Sequence, residues 1–297
     1  MTSAEQIQES KIKNPNCSTE HWLELDGLRI RYLRAGVPGS PPLVMVHGLL
    51  GYSFSWRFNL EALAQVAEVY ALDLPGLGYS SRPAAGAFDA SMPGLARFVL
   101  RWMDAVGIAQ ADVLGNSHGG AIAMFMAAAA RERVRRLVLV APVNPWSRLA
   151  RRRIALLSSP VGAALAGLLL PPLLPTIQGL GVRRMYGDKG RIAPGTIAGY
   201  GAPLSTPGTL PHLLRVLHCW RHDVCELEKA IAAIADVPTL LVWGTRDRAV
   251  DPASAPELQR RLPGAKLVWL EGMGHLPYEE APEEFNRAVI QFLSTDN

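Results

Sequence analysis

The feature that most constrains the fold of this 297-residue chain is an alternation of short apolar runs with helical runs from Trp22 onward. Such an alternation predicts a mostly parallel sheet with helices on both faces. The start of this region differs from the rest. Apolar and polar residues alternate in Trp22–Asp26 and Arg29–Arg34, on either side of an Asp26–Gly27 turn, which predicts an antiparallel hairpin at one edge of the sheet. Six buried strands are predicted after the hairpin: Leu43–Val46, Val69–Leu72, Asp112–Leu114, Leu137–Val140, Leu240–Trp243 and Lys266–Leu270.

Helices are predicted between these strands, around Leu60–Val66, Met92–Val106, Gly120–Ala130, Ala255–Arg261 and Pro282–Phe292. The alternation breaks once, between Ala141 and Pro238, where helical patterns, prolines and glycines occur without a convincing strand. We interpret this segment as a helical cap inserted above the sheet. The predicted organisation is a polar N-terminal extension over residues 1–20, a core of residues 21–141 and 236–297, and a cap over residues 142–235.

The composition excludes several classes of protein. With 49% hydrophobic and 19% charged residues, the chain is able to bury a large core. Its net charge of +4 is spread over short clusters, which disfavours nucleic-acid binding. Three cysteines suit neither a disulfide framework nor a four-ligand zinc site, and the polar N-terminus has no apolar signal segment, so a soluble cytoplasmic protein is expected. The longest uncharged apolar run, Val161–Leu174, is interrupted by prolines and is shorter than the roughly 20 residues that span a bilayer.

The strongest chemical signal is Val113–Gly120, where a predicted buried strand runs through the pattern Gly-x-Ser-x-Gly into an alanine-rich helix. In this context the pattern forms a nucleophile elbow. The serine of the pattern, Ser117, then lies on a sharp, strained turn that exposes its hydroxyl above the sheet, and the turn requires minimal side chains at Gly115 and Gly119. We therefore predict that Ser117 is a nucleophile. A glycine-serine-glycine turn without chemistry is the alternative.

A serine hydroxyl is a poor nucleophile at neutral pH, so the chain must supply a base and an orienting acid. Asp247 follows the predicted strand Leu240–Trp243, and His275 ends a glycine-rich loop after Lys266–Leu270. Both follow the C-terminal ends of strands, where open α/β sheets place their sites. We favour His275 as the base among seven histidines, and Asp247 as the acid. The competing acids are Asp236, Asp251, which is typical of an N-cap before Pro252, and Asp73, which suits a brace for the Pro75–Gly76 turn.

Two backbone N–H groups are candidates for an oxyanion hole. The N–H of His118 lies where the predicted helix begins, so it points at an oxyanion formed on a carbonyl that Ser117 attacks. The N–H of Leu49 lies in the tight turn after the first parallel strand and would complete the pair. The His47 ring is expected to hold that turn, and no side-chain role is assigned to His118.

Several sequence blocks occur in an order that resembles the α/β-hydrolase fold family: HGLLGYSFSWR from His47, DLPGLGYSSRP from Asp73, GNSHGG from Gly115, WGTRD from Trp243 and GMGH from Gly272. The resemblance runs from Trp22 to Phe292 and implies an α/β-hydrolase fold with a mostly parallel central sheet, helices on both faces and an inserted helical cap. It also implies the nucleophile Ser117, the acid Asp247, the base His275 and the oxyanion donors Leu49 and His118, without a metal or a cofactor. Family members that open epoxides or displace halide carry aspartate at the elbow, so the serine disfavours both activities. Some members have lost catalysis and only bind ligands or partners, and that alternative stays open.

Acyl transfer is the chemistry that remains, and we expect a carboxylesterase acting on a hydrophobic small molecule. The alternative is hydrolysis of C–C bonds in ring-cleavage diketones, because the elbow sequence resembles that of such hydrolases. Two departures weaken it. Leu49, Leu50 and Gly51 stand where those enzymes carry a glycine-rich loop, and Leu276 stands where they carry tryptophan after the catalytic histidine.

The cap offers apolar and aromatic side chains for a substrate pocket, and the predicted pocket residues are Tyr52, Trp146 and Leu276. Arg148 and Arg151–Arg153 precede the long apolar run, so a basic face beside an apolar face would suit contact with anionic lipid. A solvated helix face is the alternative. His218 and His222 have the spacing of zinc ligands on one helix face, but a second ligand cluster is missing, so no metal site is predicted.

Overall fold

A computed structural model describes residues 18–149, 151–171 and 174–295, without the side chains of residues 151–153, 160, 174 and 175. Residues 1–17 of the predicted N-terminal extension and the side chains of the predicted basic run at 151–153 therefore lie outside the described residues.

One sheet contains all the strands of the described chain: β1 (Thr19–Leu25), β2 (Leu28–Ala35), β3 (Pro42–Val46), β4 (Glu68–Leu72), β5 (Ala111–Asn116), β6 (Val134–Val140), β7 (Thr239–Gly244) and β8 (Lys266–Leu270). The helices are α1 (Leu60–Leu63), α2 (Met92–Ala105), α3 (His118–Ala129), α4 (Arg151–Ser158), α5 (Pro160–Leu169), α6 (Leu174–Met185), α7 (Thr196–Gly201), α8 (Thr209–Ala233), α9 (Ala255–Arg261), α10 (Pro277–Glu280) and α11 (Pro282–Leu293).

The strand order is β1-β2-β4-β3-β5-β6-β7-β8, with β3 to β8 parallel and β1 and β2 antiparallel to their neighbours. This order confirms the predicted mostly parallel sheet and its edge hairpin. Asp26 and Gly27 both have positive φ, 53° and 72°, as the tight turn of a two-residue hairpin requires. The chain leaves β3 towards β4 on one side and returns to β5 on the other, so the direction of winding changes between β3 and β5.

The prediction that Lys266–Leu270 is a buried strand is wrong in one respect. The segment is a strand, β8, but most of its residues are half-buried or exposed, and Trp269 is 40% exposed. The reason is position, because β8 pairs only with β7 and forms the edge of the sheet. Helix α1 is shorter than predicted, and α3 begins two residues earlier, at His118.

Apolar residues cover both faces of the sheet. On one face α2, α3, α8 and α9 form a buried cluster in which Trp102 packs edge-on against Tyr32, with ring centroids 5.2 Å apart. On the other face α1, α10 and α11 form a second cluster, which includes Trp56 and Tyr278 with centroids 4.6 Å apart. Both clusters bury large aromatic side chains, so the strand ends between them have a rigid support.

The segment between β6 and β7 is an inserted helical region, with α4 to α8 in its described part. Helix α4 packs on α5 and α8, and α6 packs on α7. The C-terminal half of α8 returns to the core, where Leu227 and Ile231 are buried in the cluster that α8 forms with α2, α3 and α9. In the described part of the chain, no helix combines the length and the apolar character that crossing a bilayer needs.

Candidate active site

Ser117 lies between the end of β5 and the start of α3, in a backbone conformation that is rare for a residue with a side chain. Its φ is 55° and its ψ is −117°. Such strain, of order 1–3 kcal/mol, persists only where the surroundings impose it. A Cβ atom at Gly115 would lie 2.4 Å from the Gly119 carbonyl oxygen, and one at Gly119 would lie 2.2 Å from the Val46 carbonyl oxygen. The turn therefore requires both glycines, as the sequence predicted.

His275 and Asp247 meet above the ends of β8 and β7. The His275 Nδ1 lies 2.7 Å from Asp247 Oδ2, and both side chains are buried. The other carboxylate oxygen of Asp247 accepts the N–H groups of Ala249 and Val250, at 2.7 and 3.1 Å. These bonds hold the carboxylate in one orientation, so it orients the ring with Nε2 free to face the cavity.

The three competing acids lie elsewhere and bind other groups. Asp251 accepts the Ala253 N–H at 3.1 Å and caps the turn that begins at Pro252. The Asp73 carboxylate accepts the N–H groups of Ser53 and Tyr79, at 2.7 and 2.9 Å, and so braces two loops. Asp236 is exposed and pairs with Arg131 at 3.1 Å. Of the four candidates, Asp247 is the one that contacts His275.

The loop after β3 lies against the elbow. The N–H of Gly51 donates to the Gly48 carbonyl at 3.0 Å, so Leu49 lies at the first corner of a tight turn. A Cβ atom at Gly48 would lie 3.0 Å from Asn116 Oδ1 and 3.5 Å from Ser117 Cβ, which shows how closely the turn approaches the elbow. Leu49 and Ser117 both line the cavity that lies above the elbow.

The His47 ring joins two loops. Its Nε2 accepts the Leu74 N–H at 3.0 Å, so its Nδ1 carries the proton and donates to the Gly48 carbonyl at 2.8 Å. Burial lowers the pKa of His47, which keeps this neutral form. The ring therefore holds the turn, in agreement with the role expected for it.

The His118 ring is also buried, but it has no hydrogen-bond partner among the described residues. It stacks on Trp220 of α8, with ring centroids 5.5 Å apart. Burial, with a smaller effect of the neighbouring His47 and His212, lowers the pKa of His118 to about 3. The side chain is a neutral packing group at the junction of core and cap.

Ser117 and His275 line one cavity of about 1060 Å³ below the cap, here called the Ser117 cavity. Its cap side is mostly apolar and is lined by residues that include Ile154, Ile177, Val182, Leu204, Leu210 and Leu213. Leu276 lines the cavity, as predicted. A hydroxyl, an imidazole and a largely apolar enclosure therefore share one space. Within the described residues the Ser117 hydroxyl has no hydrogen-bond acceptor, and such bonds are often long before substrate binds.

Two of the predicted pocket residues do not line the Ser117 cavity. The Tyr52 hydroxyl donates to the Gly199 carbonyl at 2.9 Å, and its ring stacks on Phe54, so Tyr52 joins the core to α7. Trp146 packs beneath the Arg261 guanidinium, 5.2 Å from the ring centroid. The contacts of both side chains are with groups that do not line the cavity either, namely Gly199, Phe54 and Arg261.

Two acidic residues beside the His275 loop were not predicted from the sequence. The Glu279 carboxylate is buried and binds Arg57 at 2.7 Å, the Tyr186 hydroxyl at 2.5 Å and the Tyr200 hydroxyl. The Glu280 carboxylate accepts the N–H groups of Gly274, Gly187 and Asp188, at 2.7, 2.9 and 3.1 Å. Burial raises the pKa of Glu280, and the backbone bonds oppose that shift. The two residues tie the cap to the His275 loop, and their only sequence signal is an acidic pair between two prolines.

Asn116 was also missed. It is buried beside Ser117, its amide donates to the Val140 carbonyl at 3.1 Å, and its Oδ1 accepts the Tyr278 hydroxyl at 3.3 Å. Concerning metals, His218 and His222 are both exposed, and His218 also lines the Ser117 cavity. The residues that the structure describes contain no group of three or more histidine, cysteine or acidic side chains able to hold a metal ion.

Two family models match the sequence. One is described as alpha/beta hydrolase fold and matches residues 41–178, and the other is described as TAP-like protein and matches residues 217–297. Together they cover the parts of the chain that contain Ser117, Asp247 and His275.

Among curated proteins, the chain is similar to the dihydrolipoyllysine-residue acetyltransferase component of the acetoin cleaving system. The protein from Pseudomonas putida is 31% identical over 272 residues, which are 91% of this chain and 68% of that protein. The protein from Cupriavidus necator is 45% identical over 121 residues, which are 41% of this chain and 31% of that protein, so the match spans less than a third of that relative's length.

Among solved structures, Cfl2 from Burkholderia cenocepacia matches with a TM-score of 0.85 and 19% identity, over 97% of this chain and 100% of that one. A membrane phospholipase A matches with a TM-score of 0.72 and 26% identity, over 94% and 86% of the two chains. An epoxide hydrolase, a meta-cleavage product hydrolase and a haloalkane dehalogenase match at 22% to 23% identity. One fold therefore carries several hydrolytic chemistries among these neighbours, and the fold alone does not select one of them.

Proposed function

The chain belongs to the α/β-hydrolase fold family, and we propose that it is a serine hydrolase that cleaves carboxylic esters of hydrophobic small molecules. One observation carries the proposal. A serine on a strained elbow lines the same cavity as a histidine whose Nδ1 lies 2.7 Å from a buried carboxylate. The elbow residue is a serine, whereas dehalogenases and epoxide hydrolases resembling this chain use an aspartate there, so acyl transfer is favoured over alkyl transfer.

The proposed reaction begins when Ser117 Oγ attacks the ester carbonyl carbon and His275 Nε2 takes the hydroxyl proton. The Asp247 carboxylate accepts a hydrogen bond from the His275 Nδ1–H group, so it fixes the tautomer and stabilises the imidazolium. The imidazolium then gives its proton to the leaving alcohol, and the acyl group stays on Ser117. Water, activated by His275, releases the carboxylic acid and restores the serine.

The oxygen of the attacked carbonyl becomes negative in the tetrahedral intermediate. We propose that the backbone N–H groups of Leu49 and His118 bind it, because the turn of Leu49 packs on the elbow and His118 opens α3. The positive end of the α3 dipole adds to this stabilisation. Removal of one such donor typically costs about 10²-fold to 10³-fold in kcat.

The substrate class follows from the Ser117 cavity. A volume of about 1060 Å³ lies at the upper end of the range for small-molecule pockets, which is roughly 300–1,000 Å³. Its apolar cap side suits an acyl or alcohol group with a long hydrocarbon part. We therefore expect turnover to rise with acyl length until the chain outgrows the enclosure.

The second candidate function is C–C bond hydrolysis of ring-cleavage diketones. Such a substrate carries a carboxylate, and Arg221 of α8 lines the Ser117 cavity, where it would bind one. The arginines at 183, 184 and 191 are not among the residues that line it, and Arg191 instead donates to the Glu280 carbonyl at 2.9 Å. The mostly apolar lining and Leu276 favour the ester reaction.

Hydrolysis of a p-nitrophenyl ester series from acetate to palmitate, run beside a vinylogous ring-cleavage diketone, separates the two reactions. We expect Ser117→Ala to lower kcat by about 10⁶-fold on every ester. The matched control is Ser55→Ala, which deletes another hydroxyl of the same cavity, one whose Oγ lies 3.1 Å from the Tyr200 hydroxyl oxygen. Ser55→Ala is expected to stay within about tenfold of the parent, since it removes hydrogen bonds of a neutral hydroxyl that takes no part in the proposed reaction.

Each outcome selects one function. Ester turnover that disappears in Ser117→Ala and persists in Ser55→Ala supports the esterase. Turnover of the diketone alone would replace the proposal with C–C hydrolysis. Ester turnover that survives Ser117→Ala would show that another group is the nucleophile.

A further inference from the structure

The outer surface of the cap exposes large apolar side chains in one region. Of the thirteen large hydrophobic residues that are exposed in the described chain, eight lie between positions 149 and 180. On α5 they are Val161, Leu165, Leu168 and Leu169, which are 52% to 74% exposed. Their spacing of four, three and one residues places them on one side of the helix. Isolated exposed leucines are ordinary, but a group of them marks a binding surface.

This group extends to the neighbouring helices. Leu156 of α4 is 65% exposed, and Ile177 and Leu180 of α6 are 44% and 64% exposed. Helix α5 packs inward through Gly162 and Ala166, so its leucines have no place in the cap's own core. We call the set Leu156, Val161, Leu165, Leu168, Leu169, Ile177 and Leu180 the cap's apolar face.

The charge of the same segment is one-sided. Residues 148–215 contain nine lysines and arginines and a single acidic residue, Asp188, whereas the whole chain has a net charge of only +4. The remainder of the chain is therefore net negative. Arg148, Arg183, Arg184 and Lys189 are exposed and have no ion pair among the described residues. The apolar face is flanked by positive charge that the protein itself does not neutralise.

The cap's apolar face also borders the Ser117 cavity. Ile177 belongs to the face and lines the cavity, and exposed Leu149 lines it from the adjacent loop. A hydrophobic molecule that leaves an apolar phase at this face would enter the cavity without crossing bulk water.

We propose that the cap's apolar face docks on the surface of an anionic phospholipid bilayer. Acyl chains accept the leucines, and the headgroup phosphates attract the arginines and Lys189, which is the pairing that holds amphipathic helices at membrane surfaces. A second copy of this chain is a poor occupant, because two such faces would bring two strongly positive segments together. The proposal concerns where the protein lies and does not depend on the ester reaction.

The test measures sedimentation of the full chain with vesicles of ether-linked phosphatidylcholine, with and without ether-linked phosphatidylglycerol. Ether lipids lack the carboxylic ester, so the proposed hydrolysis does not consume them. Binding is expected on the vesicles that contain phosphatidylglycerol and should weaken as salt is added. Leu168→Asp, at a position that is 74% exposed, is expected to lower the partition coefficient at least about tenfold. Arg184→Ala should lower it about fivefold on the anionic vesicles alone.

The matched control is Val37→Asp. Val37 is 67% exposed, but it lies in the turn before β3, at the end of the sheet where the parallel strands begin, opposite the cap. The Val37→Asp variant should therefore bind vesicles as well as the parent does. Circular dichroism and turnover of a short soluble ester check that the variants fold.

Three results would overturn the proposal. One is the absence of binding by the folded parent protein, and another is an equal loss of binding in Val37→Asp and Leu168→Asp. The third is a parent dimer in light scattering that Leu168→Asp converts to a monomer, which would assign the face to a second copy. Equal binding to neutral and anionic vesicles would overturn it as well, because the proposal commits to an anionic surface.

Discussion

The floor of the Ser117 cavity and its outer roof differ in how closely their backbones approach other atoms. In the floor, the elbow Gly115–Gly119, added Cβ atoms would lie within 2.4 Å of backbone oxygens. In the outer roof, which is the part of helices α5 and α6 after Gly162, Gly167 and Gly179 have their nearest neighbours at 4.0 and 3.5 Å, and Gly181 has none within 4 Å. Gly162 itself, where α4 turns into α5, is as tight as the floor, since an added Cβ atom would lie 1.9 Å from the Leu156 carbonyl oxygen. The floor admits no added atom, whereas the outer roof does. This difference in packing suits a rigid elbow beneath a cap whose packing can adapt to the substrate.

The inner end of the roof is an exception that shows how the two parts are joined. Gly274, beside His275, would place a Cβ atom 2.2 Å from the Met185 carbonyl oxygen at the end of α6. The His275 N–H donates to that same carbonyl at 2.6 Å, and Glu280 binds backbone N–H groups on both sides. This end of α6 is therefore fixed to the His275 loop.

The largest predicted effect is the difference in kcat between substitutions of two candidate acids, Asp247 and Asp251. Asp247→Asn should lower kcat on esters by about 10⁴-fold, since the amide holds His275 in the wrong tautomer. Asp251→Asn should leave kcat within about twofold, because asparagine caps a helical turn almost as well as aspartate. Steady-state kinetics on one soluble ester measure both. A larger loss in Asp251→Asn would move the acid to that residue and contradict the proposed reaction centre.

The contrast in packing has its own test in two glycine-to-alanine variants. Gly119→Ala drives a methyl group into the Val46 carbonyl and should lower the free energy of unfolding by at least about 3 kcal/mol. Gly181→Ala, inside α6 with open space around it, should raise the unfolding free energy by about 0.5–1 kcal/mol through helix propensity. Urea denaturation followed by circular dichroism measures both. A neutral Gly119→Ala would mean that the floor adapts as readily as the roof.

Much of the floor was predictable because its signals are local. A positive φ at Ser117 follows from glycines two residues to either side, and helix α9 occupies the Ala255–Arg261 range that its pattern predicts. The order of strands along the chain likewise indicated which loops meet at one edge. The assignment of Asp247 over its rivals stays a prediction for the reaction, but its contact with His275 agrees with the expectation that both residues follow the C-terminal ends of strands.

The roof was less predictable because its contacts are not periodic in the sequence. The Tyr52 hydroxyl binds the Gly199 carbonyl, and the Trp146 ring lies under Arg261. The sequence around Tyr52 and Trp146 indicates neither contact. The half-exposure of β8 depends on its being the last strand of the sheet, which an apolar run does not reveal. The contacts of Glu279 and Glu280 with the cap span 79 to 93 residues, and the contact between Glu279 and Arg57 spans 222, so they follow only from the packed structure.

The smallest effect concerns His118, which lies where the floor meets α8. Its pKa of about 3 in the folded protein, against about 6.5 when exposed, means that the unfolded chain binds a proton that the folded chain refuses. Stability is therefore unaffected above pH 6.5 and falls as the pH drops from there towards 3, by about 2 kcal/mol at pH 5 from this residue.

The variant His118→Phe keeps a ring against Trp220 but has no group that titrates at this position. Between pH 7 and pH 5 the unfolding free energy of the variant should therefore fall by about 2 kcal/mol less than the unfolding free energy of the parent. Urea denaturation at the two pH values measures the difference. Between pH 7 and pH 8 the two proteins should show the same pH dependence, because the His118 ring is mostly neutral there in the folded and the unfolded chain, and this range is the control. The contradicting result is a His118→Phe variant that keeps the parent's pH dependence between pH 7 and pH 5. The His118 ring would then have to accept a proton in the folded protein, and the contact between the elbow and α8 would be accessible to water.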